Sequence, residues 1–275
     1  MFFPAAWFKL PGMDPIEHNR RAWDQRVREN RRFTRPVSDD ELKDPLKEAD
    51  SRGWLSGDVH GKQVLCLASG GGRQSAIYAA AGGVVTVNDI SDEMLKIDRQ
   101  VAKDRKLNIR TVQGSMDHLP ELADATFDVV IQPVSTCYVP DIAKVYREVA
   151  RVTKPGGLYI SQHKTPASMQ ADVRRTSRGY ELIEPYYKTG PLPEVTGSLH
   201  REPGTVEFLH RWEQIVCGMC RAGFVIEDLS EPYHGDPAAK PGSWGDRSLY
   251  VAPYVRIKAR RVAGAGETGR IVVAK

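Results

Sequence analysis

The sequence predicts an α/β fold with a mostly parallel sheet. Between about residues 63 and 163, short apolar runs alternate with segments of helical periodicity, a pattern typical of parallel strands joined by right-handed crossovers. The first apolar run leads into LCLASGGGRQSA, residues 65–76, where three consecutive glycines precede a helical segment. The 275 residues include 41% hydrophobic and 27% charged residues, which is ordinary for a globular protein with a sizeable core.

Two helices are expected before this alternation begins. Asp14 and Pro15 are typical of a helix start, and Trp23 lies on the apolar face of the helix that would follow. Ser38 and Glu41 have the spacing of a capping box, which predicts a second, short helix after them. Together these helices would form an N-terminal cap.

The alternating part is expected to contain strands separated by amphipathic helices. The strands are predicted at residues 63–68, 84–88, 109–113, 127–132 and 158–163. The helices are predicted at residues 73–81, 92–105 and about 141–152. Residues 164–204 then break the rhythm, because they are rich in Pro, Gly and Tyr without a sustained period. A functional lid is expected there.

Order is expected to return after the lid. A helix over residues 206–222, a strand over 224–229 and a last strand at about 249–259 are predicted. The chain is therefore divided into an N-terminal extension and helical cap (1–60), a main domain (61–261) with the lid at about 164–204, and a flexible tail (262–275). Residues 1–12 are expected to be a dispensable extension, because Met13 precedes the first good helix start.

Charge and hydropathy restrict the class of partner. The net charge is +4, from 39 basic and 35 acidic residues. The basic run consists of Arg20, Arg21, Arg26, Arg28, Arg31, Arg32 and Arg35. Such a run is more typical of a solvated helix face than of a nucleic-acid track. No apolar run approaches the roughly 20 residues of a membrane helix, and the N-terminus lacks the features of a secretory signal. A small-molecule partner is expected, without nucleic acid or membrane, and the oligomeric state is left open.

The four cysteines do not form the pattern of a disulfide framework. Cys217 and Cys220 form a lone CxxC inside a predicted helix, which favours core packing over a metal site. A cytoplasmic, reducing location and no metal are expected.

The glycine turn narrows the choice of ligand. A dinucleotide fingerprint would need a third glycine where Ser75 stands, and a triphosphate loop would need Lys followed by Ser or Thr. A nucleoside ligand without phosphate at the turn fits better. Asp89, at the end of the second predicted strand, could accept hydrogen bonds from both ribose hydroxyls.

Five motifs occur in the order and spacing of a known family. They are VLCLASGGG, VTVNDISDEML, VQGSMDHLP, FDVVIQPVSTCY and EVARVTKPGGLYIS, which cover about residues 62–163. On these motifs the chain resembles the class I S-adenosylmethionine-dependent methyltransferases, and RAGFVIEDLSEP resembles the late helix and sixth strand of that family. The resemblance implies a Rossmann-like fold with a mostly parallel seven-stranded sheet and helices on both faces. The helical cap and a lid after the fifth strand complete the expected architecture.

The resemblance also implies S-adenosylmethionine as the cofactor. The expected contacts are Ala68, Ser69, Gly70, Gly72, Gln74, Asp89, Ile90, Ser115, Met116 and Pro133. The family usually has an acid at the position of Cys66, a glycine at Ala68 and often an acid at Ser115. Asp117 could take the part of an acid at Ser115.

Methyl transfer to an oxygen or nitrogen atom of a small molecule is the expected reaction. His163 and Tyr138, near the ends of the fifth and fourth strands, are the candidate catalytic residues. Tyr187, His200 and Arg201 in the lid are candidate substrate contacts, since they combine aromatic surface, hydrogen-bond donors and a fixed positive charge. The fourth-strand sequence PVSTCY lacks the Pro-Pro-aromatic signature associated with base methylation. An NAD(P)-dependent oxidoreductase and a non-catalytic binding protein are the alternatives.

Overall fold

The computed structural model describes residues 13–55, 57–196, 198 and 200–262. Within these residues, seven strands form one sheet in the order β3-β2-β1-β4-β5-β7-β6. The strands are β1 (Gln63–Leu67), β2 (Val84–Asp89), β3 (Ile109–Gln113), β4 (Phe127–Gln132), β5 (Thr153–Lys164), β6 (Phe224–Ser230) and β7 (Tyr254–Arg261). The strands β1 to β5 pair in parallel, and β7 runs antiparallel to both β5 and β6.

Helices cover both faces of this sheet. They are α1 (Pro15–Arg28), α2 (Pro45–Ala49), α3 (Gln74–Ala80), α4 (Asp92–Arg105), α5 (Ile142–Val152), α6 (Pro166–Gln170), α7 (Gly218–Arg221) and α8 (Trp244–Tyr250). A π-helical turn at Glu213–Cys217 precedes α7, and a 3-10 turn at Thr136–Tyr138 follows β4. The predicted mostly parallel, Rossmann-like architecture is confirmed.

Each face of the sheet has its own apolar core. On one face, α5 buries Val145, Tyr146 and Val149 against strand residues such as Leu65 and Tyr159. On the other face, a second cluster joins the alternate side chains of the same central strands to α3 and α4. Because both sides of the central strands are covered, their sequences read as continuous apolar runs.

Several boundaries agree with the sequence predictions. The predicted bounds of the strands at 109–113 and 127–132 and of the helix at 92–105 are the observed ones. The helix predicted at 141–152 begins one residue later, because Asp141 is its cap and accepts a hydrogen bond from the backbone N–H of Ala143. The strand predicted at 158–163 begins earlier, at Thr153.

The prediction of a helix over residues 206–222 is wrong in its first half. Residues 205–210 are bonded to neighbouring segments instead: the Phe208 N–H donates to the Cys137 carbonyl at 2.7 Å, and the Val206 N–H donates to Asn19 Oδ1 at 2.8 Å. His210 Nε2 lies 2.9 Å from the carbonyl oxygen of Thr136. These long-range partners outweigh the local helical preference.

Two other predicted elements are also corrected. The strand predicted at about 249–259 begins only at Tyr254, because Pro253 cannot extend the ladder and Trp244–Tyr250 forms α8 under a Ser243 cap. Ser38 and Glu41 do form their predicted hydrogen bonds, but no helix follows directly. The short helix α2 starts at Pro45.

Asn19 fastens the N-terminal helix α1 to two distant segments of backbone. Asn19 on α1 donates to the carbonyl oxygens of Tyr138 at 3.0 Å and Val206 at 2.9 Å.

In the part of the chain that the structure describes, no helix is both long and apolar enough to cross a membrane. Residues 1–12 and 263–275, where a dispensable extension and a flexible tail are expected, lie outside the described residues.

Candidate functional site

A cavity of about 450 Å³ opens at the carboxyl ends of the central strands. In parallel sheets, ligands bind where the strand order reverses, and this reversal lies between β1 and β4. Every predicted cofactor contact except Gly72 lines the cavity, and so does Tyr138. They are Ala68, Ser69, Gly70, Gln74, Asp89, Ile90, Ser115, Met116, Pro133 and Tyr138.

The turn after β1 has a backbone conformation that side chains rarely adopt. Gly71 and Gly72 have φ angles of +104° and +74°, and Ala68 has φ +47° although it is not glycine. Gly70 must be small for a different reason. A Cβ atom there would lie 2.8 Å from the Cβ of Met94 and 3.0 Å from the Cβ of Asp89. The turn therefore approaches Asp89 closely and leaves its own backbone open to a ligand.

Asp98 on α4 organises this turn from behind. Its carboxylate accepts hydrogen bonds from the N–H of Gly71 at 2.8 Å and of Gly72 at 3.1 Å, and from the Ser75 hydroxyl. Asp98 is fully buried, and burial raises the pKa of its carboxyl to about 6. The N–H of Gly72 is thus already hydrogen-bonded to Asp98. Gly72, which was expected to contact the cofactor, does not line the cavity.

Asp98 compensates in part for the absence of an acid at the position of Cys66. Cys66 is fully buried on β1, and burial together with the charge of Asp98 raises the pKa of its thiol. A carboxylate is therefore present beside the turn, but α4 supplies it. Sequence reasoning missed Asp98, although there was a signal: Met94, Asp98 and Val101 form one buried stripe of α4, and an acid within such a stripe needs partners.

Asp89 lies at the end of β2 on the cavity wall. Its Oδ2 accepts from the Gly70 N–H at 2.9 Å and its Oδ1 accepts from the Ser91 N–H at 2.9 Å. Burial raises the pKa of Asp89 to about 6, with a further contribution from the nearby charge of Asp24. Each carboxylate oxygen retains a free lone pair, so the side chain can also accept ligand hydroxyl groups.

The other polar groups of this wall fit the cofactor that the resemblance implies. Ser69 Oγ is buried without a hydrogen-bond partner among the described residues, which is costly unless a ligand supplies one. Ser115 Oγ donates to Asp117 Oδ1 at 2.5 Å, so an acid does lie next to the Ser115 position. An orphaned hydroxyl, a glycine cradle and a carboxylate with remaining acceptor capacity are the groups that an amino-acid and ribose moiety would use.

A buried network of charges reaches the cavity through Tyr138 and Glu202. The Tyr138 hydroxyl donates to Glu202 Oε2 at 2.7 Å, and the Lys164 ammonium donates to Glu202 at 2.7 Å and to Glu207 at 2.5 Å. Burial raises the pKa of Glu202, but the Lys164 ammonium outweighs this and holds it below its usual range. Burial and Glu202 raise the pKa of Tyr138, so its hydroxyl stays protonated. Glu202 thus presents an ionised carboxylate to the cavity.

Aromatic rings complete the cavity beside this network. Trp244 and Tyr254 pack at 5.9 Å between ring centroids, and His234 lies edge-on to both, at 6.0 Å and 5.6 Å. His234 Nε2 is buried without a partner among the described residues, and burial lowers the pKa of this imidazole. Trp23 lies across from them, edge-on to Tyr138 at 5.7 Å. Sequence reasoning missed the C-terminal rings, because no local pattern links them to the glycine turn.

His163 does not lie where the sequence prediction required. Its ring is bonded between Thr136 Oγ1 and Ser161 Oγ, each at 2.8 Å, and packs edge-on against Tyr146. Its neighbour Gln162 lines the cavity instead, because successive side chains of a strand point to opposite faces. Burial lowers the pKa of His163 to about 3. His163 is therefore a neutral, bonded core residue, and its assignment as a base is corrected.

The three predicted substrate contacts in the lid are also displaced from the cavity. Tyr187 is 75% exposed, which places it on the surface. His200 stacks on Trp244 with 4.4 Å between centroids, so it supports that ring without lining the cavity. Arg201 is buried in an ion pair with Glu207. Among the described residues of the segment 164–204, Glu202 is the one that lines the cavity.

Across the described residues, no group of three His, Cys, Asp or Glu side chains is arranged to hold a metal ion.

Comparisons with known proteins agree with this geometry. Residues 65–161 match a family model described as "Methyltransferase domain". A curated relative, "Uncharacterized methyltransferase YbaJ" from Bacillus subtilis (strain 168), is 33% identical over 235 residues, which is 80% of this chain and 91% of the relative.

Two solved structures share the fold. An S-adenosylmethionine-dependent methyltransferase from Mesorhizobium loti superposes with a TM-score of 0.64 at 23% identity, covering 80% of this chain and 100% of that one. The geranyl diphosphate C-methyltransferase of Streptomyces coelicolor A3(2), in complex with Mg²⁺, geranyl diphosphate and S-adenosyl-L-homocysteine, superposes with a TM-score of 0.60 at 15% identity. That alignment covers 91% of this chain and 99% of the other.

The sequence motifs, the glycine turn beside Asp89 and these comparisons lead to the same assignment. The extent of the match to the Bacillus subtilis relative carries the assignment beyond the domain match alone. The chain belongs to the class I S-adenosylmethionine-dependent methyltransferases.

Proposed function

We propose that this enzyme methylates an oxygen or nitrogen atom of a small-molecule acceptor. The observation that carries the proposal is one cavity lined by two unlike sets of groups, Asp89 with the glycine turn and Glu202 with His234 and Trp244. We take the first set as the cofactor end and the second as the acceptor end. The two ends can hold a cofactor and an acceptor against each other, which is the main requirement of a methyl transfer.

The cofactor end would hold S-adenosylmethionine through backbone and carboxylate groups. Ser69 and Gln74 would bond the amino-acid part, and Asp89 would accept the ribose hydroxyls. Ser115 and Met116 would lie against the adenine, with Ile90 completing that wall. When bound, the cofactor would supply a sulfonium methyl group, which passes in line to the nucleophilic atom of the acceptor while the methyl–sulfur bond breaks and S-adenosylhomocysteine is the leaving group. Gly70 permits the close approach, because a side chain there would collide with Met94 and Asp89.

The acceptor end is suited to a flat molecule with a polar hydrogen. Trp244 and Tyr254 provide apolar faces, and the ionised Glu202 can accept a hydrogen bond from an acceptor hydroxyl or amine. His234 is the group proposed to take the proton, because its Nε2 is unpaired and its lowered pKa keeps it neutral. Tyr138 would hold Glu202 in place and take no proton itself.

The cap would keep water out of the cavity. Trp23 and Asn19 on α1 both line it, and Asn19 fixes α1 to the backbone of Tyr138 and Val206. Excluding water protects the methyl donor from hydrolysis and strengthens the hydrogen bonds inside. An enclosure of this kind supports a small acceptor over a nucleic acid.

A methyl-transfer assay on a compound panel tests the proposal. The enzyme would be incubated with S-adenosylmethionine labelled with ¹³C at the methyl group, together with phenols, aromatic amines and heterocycles. The ¹³C chemical shift of the product distinguishes methyl on oxygen, nitrogen and carbon. We expect transfer to oxygen or nitrogen, with a matched loss in His234→Ala at unchanged affinity for S-adenosylhomocysteine.

Other outcomes would contradict the proposal. A product with the new methyl on carbon would replace it with C-methylation, a reaction known from the name of one structural neighbour. Tight S-adenosylhomocysteine binding without transfer to any acceptor would favour the non-catalytic alternative.

A further inference from the structure

A second groove lies beside the active-site cavity. It has a volume of about 720 Å³ and runs between the second half of α1 and the end of the lid, from Arg201 to Gly204. Arg32, Phe33 and Glu202 line both this groove and the active-site cavity. The two spaces therefore adjoin at these three residues, which we take as the place where one molecule would extend from one space into the other.

Positive charge dominates this groove. Among the described residues that line it, the arginines Arg21, Arg26, Arg31, Arg32 and Arg201 stand against two carboxylates, Glu29 and Glu202. Part of this charge is already neutralised. Arg201 is paired with Glu207, and Glu202 with Lys164. Arg31 is paired with Glu29, and Arg21 with Glu17 outside the groove.

Arg26 and Arg32 are different, because neither forms an ion pair with any described carboxylate. Arg26 rests on the Trp23 ring at 5.2 Å, and its terminal nitrogens reach only the carbonyl oxygens of Pro203 and Arg32, each at 3.4 Å. Its Nε is buried without a hydrogen-bond partner. Arg32 lies over the rings of Phe33 at 4.7 Å and Trp244 at 5.8 Å.

An unpaired buried guanidinium N–H is costly unless a ligand oxygen satisfies it. A guanidinium presents its donors as a rigid fork that matches the oxygens of a carboxylate or phosphate. Arg26 and Arg32 present two such forks without ion-pair partners, beside the aromatic rings of the active-site cavity. Together they fit one end of an extended ligand.

We infer that the groove is a subsite for an anionic group, a carboxylate or phosphate, carried by the methyl acceptor. Arg26 and Arg32 bind the anionic oxygens, and the acceptor passes Phe33 and Glu202 to reach Trp244. This inference rests on the proposed function, since it assigns the charge of the acceptor that the cavity receives. It also gives a role to part of the basic run, which otherwise belongs to the solvated face of α1.

Anion titrations of the S-adenosylhomocysteine complex test the subsite without knowledge of the acceptor. The full-length protein would be titrated by calorimetry with inorganic phosphate and, separately, with benzoate. We expect saturable binding of at least one probe, and the stronger probe identifies the group as phosphate or carboxylate. Arg26→Gln should weaken that binding at least tenfold. Arg26→Lys, which keeps the charge but loses the fork, should weaken it by a smaller factor.

Arg28→Gln is the matched control. Arg28 is also on α1, but it lies outside the groove, 3.8 Å from Glu93. Its loss should change anion affinity less than twofold. Arg32→Gln provides a second variant if Arg26→Gln fails to fold, because Arg32 is exposed.

Two results would overturn the inference. One is the absence of saturable binding of either anion to the wild-type complex. The other is equal weakening in Arg26→Gln and Arg28→Gln, which would indicate surface charge without a subsite. Failure of the proposed function is distinguishable, because it would appear as absent methyl transfer while the anion titration stayed positive.

Discussion

The carboxylate of Asp98 accepts a hydrogen bond from the backbone N–H of Gly71 at 2.8 Å across 27 residues of sequence. With Gly72 and Ser75 as further donors, this contact ties α4 to the turn that faces the cofactor end of the cavity. Helix α4 therefore fixes the conformation of the turn. We expect this one buried acid to affect both the stability of the domain and the binding of the cofactor.

Asp98→Asn should damage both properties. An asparagine amide would present two N–H groups to a cluster of donors, so at least one hydrogen bond is lost and one donor is left unsatisfied. We expect a loss of about 2 to 4 kcal/mol in the free energy of unfolding and at least tenfold weaker S-adenosylhomocysteine binding. Urea denaturation and calorimetry measure the two effects. Asp104→Asn, on the exposed face of the same helix, should change the unfolding free energy by less than about 0.5 kcal/mol.

The contribution of Asp98 should also depend on pH. Its pKa is raised by burial to about 6, above an unfolded value near 4. Between these values the folded protein binds more protons than the unfolded chain, so the unfolding free energy falls as pH rises. The advantage of wild type over Asp98→Asn should therefore shrink by about 2 kcal/mol between pH 4.5 and 7.5. If urea denaturation gave the same difference in unfolding free energy at both pH values, the raised pKa of Asp98 would be contradicted.

Asp89 should couple cofactor affinity to pH in the opposite direction. Its ionised carboxylate is the form that accepts ribose hydroxyls, and its pKa is raised by burial to about 6. The affinity for S-adenosylhomocysteine should fall about tenfold between pH 7.5 and 5 in the wild type. Asp89→Ala should weaken binding at pH 7.5 by about 1 to 3 kcal/mol. Calorimetry across this pH range should also show that the affinity of Asp89→Asn for S-adenosylhomocysteine depends less on pH. An equal pH dependence in this variant would mean that another group controls the affinity.

His163→Ala should act on stability and not on the site. The ring fills buried space and bonds Thr136 and Ser161, so its removal should cost about 2 to 4 kcal/mol of unfolding free energy. The affinity for S-adenosylhomocysteine should stay within twofold, measured on folded protein at low temperature. Turnover per folded molecule should likewise persist. A loss of turnover at unchanged stability would restore the sequence-based assignment of His163 as a base.

Tyr138→Phe should destabilise the charged wall without reshaping it. The variant retains the ring beside Trp23 but removes the hydroxyl that donates to Glu202 at 2.7 Å. We expect a loss of about 1 to 2 kcal/mol in chemical denaturation, because a buried carboxylate loses one partner. Tyr187→Phe is the control, since that ring is 75% exposed and its variant should be neutral. Equal stability of the two variants would mean that the Tyr138 bond contributes nothing.

The predictable part of the site lies in its local sequence. The apolar run before the glycines, the acid at Asp89 and the break at Ser75 are all read within single strand-to-helix units. Of these, Asp89 lines the cavity together with Ser69 and Gly70 of the turn. Even the positive φ of Ala68 has a sequence signal, because the resembled family has glycine at that position.

The acceptor end could not be read in this way. The sequence places His163 near the end of a strand, but both faces of the sheet are covered by helices, so alternation alone leaves its side undecided. Gln162 points to the cavity and His163 to the core because of what packs on each face. Glu202 accepts the hydrogen bond of the Tyr138 hydroxyl from 64 residues away, so this pair depends on contacts between distant segments.

By itself, the sequence determined the α/β class with parallel strands, and its motifs indicated the family by resemblance. The class follows from periodicity, which the chain carries locally, and the nucleoside ligand at the glycine turn stays a prediction from short-range turn chemistry. Only the tertiary structure decided that Asp98 supports the glycine turn, that Glu202 is held ionised by Lys164, and that Trp244 lines the active-site cavity. Those features depend on burial and on contacts between distant segments, and such energies exist only once the sheet has brought the segments together.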